Sequence, residues 1–230
     1  MVTLLLLRSI IASISPLTRG TPTENSFAYF MVKILGISAS PRHQATEFAV
    51  KMALESAKNV SDKITTDFVS FKDYKILPCM HCDGCMRKEG CVLKDDMPVL
   101  LEKFLEADGV IFGSPVYSYN PTPESIMFFN RMRVWRNKFP AENMNNKVGA
   151  ALSVGGTRNG GQEMTTNSIL NMFLARGMIV IGGSSGFYTG PKIWTDNKNR
   201  QGAEEDENGC AGARDIGERI AKTVLKIKGE

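Results

Sequence analysis

Four of the five cysteines in this chain of 230 residues, Cys79, Cys82, Cys85 and Cys91, fall inside one short stretch, while Cys210 stands alone far downstream. Thiolates are soft donors that suit zinc and iron–sulfur clusters. Cys-x2-Cys-x2-Cys puts three of them in one tight loop, able to cap three corners of an iron–sulfur cube, and the bacterial ferredoxin run opens in the same way. Two departures stand out: a fourth spacing of five residues, and Val92 where that run has proline. A structural zinc site normally uses two ligand pairs held about a dozen or more residues apart. The spacing therefore favours a 4Fe-4S cluster on Cys79, Cys82, Cys85 and Cys91, with a zinc clasp and unmetallated or disulfide-linked thiols as the alternatives. A secreted disulfide scaffold would be shorter with dispersed cysteines, so a reducing, cytoplasmic setting is expected. His81, inside the run, reads as a loop histidine, and Cys210 as a spectator thiol.

Three other segments could bind a ligand. Ser38-Ala39-Ser40-Pro41-Arg42-His43-Gln44-Ala45-Thr46 joins an apolar strand to a helix, so hydroxyls, a guanidinium and free amides converge where the helix dipole is positive. It lacks the GxxxxGK[ST] of nucleoside triphosphate sites and the GxGxxG of dinucleotide folds. A single monoester phosphate, as on FMN, suits Ser38, Ser40, Arg42, Gln44 and Thr46 better, and an ordinary polar strand-to-helix turn is the alternative reading. In the second segment, Ser114, Pro115, Val116, Tyr117 and Asn120 form a turn with flat faces and an amide where a planar heterocycle could rest; a Pro-rich turn with half-buried tyrosines is the plainer reading. In the third, Ser153, Gly155, Gly156, Arg158, Asn159, Gly160 and Gly161 offer backbone amides at close approach, or merely tight turns.

The elements that must position these residues alternate. Strands are predicted at 33–38, 64–70, 108–113, 147–153 and 178–182, and helices at 46–58, 96–106, 122–136, 162–175 and 212–227, the first with Thr46 as its N-cap. This pattern implies βαβ units and a doubly wound, five-stranded parallel sheet of the flavodoxin type, with the cysteine-rich loop inserted at 79–91. The three ligand segments follow strands one, three and four and so share the carboxyl edge, where open α/β sheets bind ligands. The stretch 183–209 has no clear period and reads as a long connection, its Glu204-Glu205-Asp206-Glu207 run a solvated face.

Composition narrows the class. With 43% hydrophobic and 23% charged residues the chain is globular, and its net charge of +4 is dispersed rather than blocked, which argues against nucleic acid as a partner. No apolar run approaches the roughly 18 residues of a membrane span, so no membrane partner is expected. Residues 1–30 make a poor secretory signal: no basic residue precedes the apolar stretch and Arg8 interrupts it. They are expected to be a disordered extension or a mispredicted start, with a domain of residues 31–230 beginning at Met31.

Taken together, Ser38-Ala39-Ser40-Pro41-Arg42, Gly113-Ser114-Pro115-Val116-Tyr117, the 152–163 loop and the compact cysteine run resemble the iron-sulfur flavoproteins, a branch of the NADPH-dependent FMN reductase-like, flavodoxin-fold superfamily. The likeness covers the chain from Met31 onward, and departs from it where Ser38-Ala39-Ser40 replaces the Gly-Ser of many relatives. The resemblance implies FMN, one 4Fe-4S cluster per subunit, and a homodimer or dimer of dimers in which a cluster lies near the FMN of a neighbouring subunit. It also implies electron exchange with ferredoxin or another one-electron donor, coupled through FMN to a two-electron acceptor. The rival readings are an NAD(P)H-dependent FMN or quinone reductase with a zinc clasp, and a redox or metal sensor.

Overall fold

Six of the seven residues of β1 (Val32–Ser38) are buried, the two-faced burial of a central parallel strand. The structure, a computed structural model, describes residues 31–137 and 142–229. Residues 1–30, expected to be an extension or a mispredicted start, lie outside the described residues. After β1 come α1 (Ala45–Lys58), β2 (Ile64–Ser70), α2 (Gly84–Arg87), α3 (Met97–Glu106), β3 (Gly109–Pro115), α4 (Pro123–Arg131) and α5 (Glu142–Asn145). The chain continues through β4 (Val148–Gly155), α6 (Gln162–Leu174), β5 (Ile179–Ile181), β6 (Lys192–Trp194), α7 (Asn199–Glu205) and α8 (Glu207–Lys228).

The sheet is parallel throughout, in the order β2-β1-β3-β4-β5. One face carries Leu35, Ile37 and Phe112 against α3, α4 and α6, where Phe71, Phe104, Phe112, Phe128, Phe129 and Phe173 form a ring cluster with centroids 5.3–6.5 Å apart. The other face carries Ile34, Ile111 and Leu152 against α1 and α8. Helix α1 sits close because Gly36 and Gly113 lack side chains: a Cβ on Gly113 would lie 2.5 Å from Val50 and 2.9 Å from Leu152. This close seat fixes the N-terminus of α1 over the carboxyl edge.

The five expected strands form, and the differences lie where tertiary contacts override local pattern. The fifth lane is shared: β5 pairs with the first half of β4 and the short β6 with its second half, Ser153 opposite Lys192. The supposed 183–209 connection therefore contains a strand and a helix, each too short to show a period. Within the acidic run, Asp206 caps α8 by accepting from Gly209 N and also receives Trp194 N, which starts α8 at Glu207 rather than 212. The expected 122–136 helix stops at Arg131 and tightens into a 3₁₀ segment, Met132–Asn137. Thr46 is not the N-cap of α1; Gln44 is, and its side chain makes no cap bond, while Thr46 packs inside the first turn above Gly113.

Candidate flavin edge and cysteine loop

At the carboxyl edge the loops after β1, β3 and β4 interlock. Thr122, the N-cap of α4, donates its hydroxyl to Ala39 O at 2.8 Å, accepts from Ser125 N, and gives its own N–H to Ser114 Oγ. Ala39 N reaches Gly113 O, and Val116 N reaches Val154 O. Gly161, at φ +105°, lets Tyr119 pack against it at about 2.8 Å from where a Cβ would stand. Ser118 and Tyr119 both adopt left-handed φ between Tyr117 and Asn120, whose backbones pair in both directions: a type I′ turn built without glycine. Strain of this kind persists only where surroundings enforce it, and it gathers at ligand sites.

The predicted residues divide by role. Ser114 and Ser153 are buried, and their hydroxyls donate to Pro115 O and Gln162 O, so they brace the loops. Asn120 donates Nδ2 to Ser118 O inside the turn. Gly155, Gly156 and Gly160 admit Gln162, Asn197 and Thr157, while Gln162 accepts from Gly160 N and donates to Thr157 O. Pro115 ends β3, and Asn159 lies in the Gly-rich loop beside Arg158, whose guanidinium stacks 4.1 Å from the Trp194 ring. Tyr117 and Tyr119 are 42% and 59% exposed, leaving ring faces open.

The phosphate loop fits an anion. The first-turn amides of α1 have no side-chain cap, Arg42 is exposed, and Ser38 Oγ is buried without a partner at the end of β1. Ser40 Oγ accepts from Arg42 N at 3.1 Å, which turns the loop. Next to it, His43 lies between Glu47 (2.7 Å) and Asp73 (3.0 Å). The Glu47 hydrogen bond, over a smaller desolvation and with the Asp73 charge adding, raises the imidazole above its ordinary value.

The cysteine loop leaves the end of β2 and is closed at its base. Asp95 accepts from Leu77 N and Asp96 from Lys75 N, so the two ends of the loop lie together. Arg131, 2% exposed, pairs with the buried side chain of Asp95 and also donates to Leu77 O. Burial pushes the Asp95 carboxyl up, but the hydrogen bond and charge of Arg131 and the Leu77 and Met97 amides outweigh it and hold it below its ordinary value. A second ion pair, Arg133 with Asp83, ties the loop to the 3₁₀ segment. Left-handed His81 and Asp83 curl the chain around Cys82. Cys79 and Cys82 are exposed, Cys85 and Cys91 half-buried, and none is in a disulfide. Among the described residues no three His, Cys, Asp or Glu side chains converge to hold a metal ion. Thiols do not attract one another, and ligand convergence normally comes with the bound metal. Four soft donors on one closed loop nonetheless fit an iron–sulfur cluster.

Residues 32–190 match the family model described as NADPH-dependent FMN reductase. An iron-sulfur flavoprotein of Methanocaldococcus jannaschii is 40% identical over 200 residues, 86% of this chain and 100% of the relative. One from Methanosarcina thermophila is 40% identical over 198 residues, 86% and 97% of the two chains. The chain belongs to the iron-sulfur flavoproteins of the NADPH-dependent FMN reductase family. It is therefore an FMN-dependent oxidoreductase. The solved structure of RosB, with a bound 8-demethyl-8-formylriboflavin-5'-phosphate intermediate, superposes with a TM-score of 0.68 at 16% identity, covering 86% of this chain and 81% of that one. A WrbA-like flavodoxin protein from Agrobacterium tumefaciens gives 0.55 at 17%, covering 85% and 98%. These two likenesses show the fold.

Two parts of the edge escape the sequence reading. Thr122 was legible as Thr-Pro-Glu-Ser, an N-cap followed by proline at the first helical position. The 195–199 segment after β6 was signalled only by Asp196, Asn197 and Asn199, residue types that tolerate left-handed φ, which all three adopt. It reaches the Gly-rich loop through Thr195 N to Gly155 O and Asn197 N to Gly156 O. Among the described residues no helix is long and apolar enough to cross a membrane.

Proposed function

We propose that this oxidoreductase passes electrons from a one-electron donor such as ferredoxin, through a 4Fe-4S cluster held by Cys79, Cys82, Cys85 and Cys91, to FMN and on to a two-electron acceptor. The observation that carries the reading is the presence, on one chain, of a flavin-type carboxyl edge and a four-thiol loop clamped at its base by the buried Asp95–Arg131 pair. When bound, FMN supplies one- and two-electron redox chemistry and the cluster one-electron chemistry, the pairing that couples single-electron donors to two-electron acceptors.

The chain's own residues bind, orient and exclude water. Arg42 and the uncapped amides of α1 hold a phosphate dianion, with Ser40 shaping the turn and Ser38 and Thr46 supporting it from beneath. Tyr117 and Tyr119 offer flat faces, and the 155–161 loop offers amides to a planar ring. No side chain is assigned as a proton donor or acceptor, because the chemistry belongs to the cofactors. The working unit is a homodimer or dimer of dimers in which the cysteine loop of one subunit faces the flavin edge of another. Exposed Met80, Met86 and Val92 on that loop support this, since apolar side chains beside a cluster gain from being covered.

Anaerobic purification followed by iron, sulfide, zinc and flavin analysis tests the reading. Serine at position 79, 82, 85 or 91 should each remove most of the iron and sulfide, and Cys210→Ser should keep both. Zinc without iron in the unmodified protein, or loss of iron in Cys210→Ser, rejects it.

A further inference from the structure

Arg42 and Asn199 meet across the fold: Arg42 Nη1 donates to Asn199 Oδ1 at 3.2 Å, joining residues 157 apart in sequence. The partner comes from the first residue of α7, beyond the stretch that matches the family model. Three things set this contact apart from an incidental surface bond. Asn199 is left-handed at φ +54°, within a run that includes Asp196 at +48° and Asn197 at +58°, a turn that fixes how the chain enters α7. The same run is bonded to the Gly-rich loop through Asn197 N, and α7 rests on α1 through Arg200, 5.4 Å over the Phe48 ring, so Asn199 is braced from both sides of the anion loop. Finally, the partner is neutral. Among the described residues Arg42 makes no ion pair, so its guanidinium is fixed in direction while its charge stays uncompensated.

We infer that Asn199 is a positioning residue that aims the Arg42 guanidinium at the phosphate of FMN, leaving its charge available. The inference rests on the reading of Arg42 as a phosphate ligand. An arginine gripped by a carboxylate would be equally well placed, but the phosphate dianion would then have to compete with that carboxylate. An amide oxygen accepts one N–H and leaves the other donors of the fork free. The segment between β6 and α8 thereby acts as a third wall of the phosphate site and favours the 5'-phosphorylated flavin over riboflavin.

The test titrates FMN and riboflavin into the full-length protein stripped of flavin, reading flavin fluorescence, for the unmodified chain and three variants. Asn199→Gly keeps the left-handed backbone and removes the acceptor; Asn199→Asp keeps the shape and adds a charge. Asn199→Asp should weaken FMN about tenfold or more with riboflavin within about twofold, and should flatten the salt dependence of FMN affinity. Asn199→Gly should weaken FMN about three- to tenfold, again sparing riboflavin. Arg42→Ala should abolish the preference for FMN. If both Asn199 variants keep the wild-type ratio of FMN to riboflavin affinity, or lose both flavins equally, while Arg42→Ala abolishes the preference, the positioning role is wrong and the Arg42 reading stands. If Arg42→Ala itself leaves the ratio unchanged, the underlying reading and the inference fall together.

Discussion

The Asp95–Arg131 pair shows how much one buried contact controls. Asp95 receives two N–H groups of Arg131 at 2.5 and 3.0 Å and the amide of Leu77, so a single carboxylate fastens the end of the cysteine loop to its start and to the end of α4. Asp95→Asn would leave a buried guanidinium without its counter-charge, which costs about 3–5 kcal/mol. A lower urea midpoint that, multiplied by the slope m, corresponds to that loss of free energy, with less iron retained on purification, is the expected outcome; an unchanged midpoint would mean that the pair contributes no net stability. The pH dependence follows from the same contact. Asp95 titrates below its ordinary value when folded, so its contribution is complete above the unfolded carboxyl value, about 3.9, and is lost as the pH falls through the lower folded value. The asparagine variant should show a shallower loss of stability in that acid range.

At the scale of elements, the anion loop depends on how deeply α1 is seated. Gly36 and Gly113 admit the side chains of Val50 and Leu54 to the sheet surface, and Thr46 packs 3.2 Å from the position of a Cβ on Gly113. Gly113→Ala would force the first turn of α1 outward. Overpacking of this kind costs about 1–3 kcal/mol, and the displaced amides should weaken FMN as well. Calorimetry and flavin titration on this variant should move together; a destabilised protein with unchanged FMN affinity would separate the seat of α1 from the anion site. The same logic explains β6 and α7. A three-residue strand has no periodicity to read, yet β4 extends past β5 and leaves unpaired backbone at 153–155, which β6 fills.

For the whole molecule, α4 sets the separation between the two candidate cofactor sites. Thr122 caps it at the carboxyl edge, and Arg131 ends it nine residues later against the cysteine loop, about 13 Å away at 1.5 Å per residue. Within one chain the thiols thus lean on the end of α4 remote from the flavin loops, while Met80, 62% exposed, faces outward with Met86 and Val92. A neighbouring subunit would cover that surface and shorten the electron path. Sedimentation should therefore give at least twice the mass of one chain, and cluster-dependent flavin reduction in stopped flow should slow on dilution through the dissociation range. A stable monomer that keeps full transfer would remove the oligomer from the proposal.

The amino-acid sequence by itself determined the alternation of five strands with helices, the three loops at the carboxyl edge and the identity of the four clustered thiols. Those features are written in short-range periodicity, turn chemistry and spacing, each of which depends on neighbours in the chain. Tertiary structure alone decided that Thr122 ties the β1 and β3 loops together. It also decided that β6 and α7 fill the apparent connection and carry Asn199 to Arg42. The partners in these contacts are distant in sequence, as in the 83 residues between Thr122 and Ala39 or the 157 between Arg42 and Asn199. A hydrogen bond across such a span leaves no local pattern: it exists only once both hydrophobic faces of the sheet have been covered and the loops at its edge have been brought together.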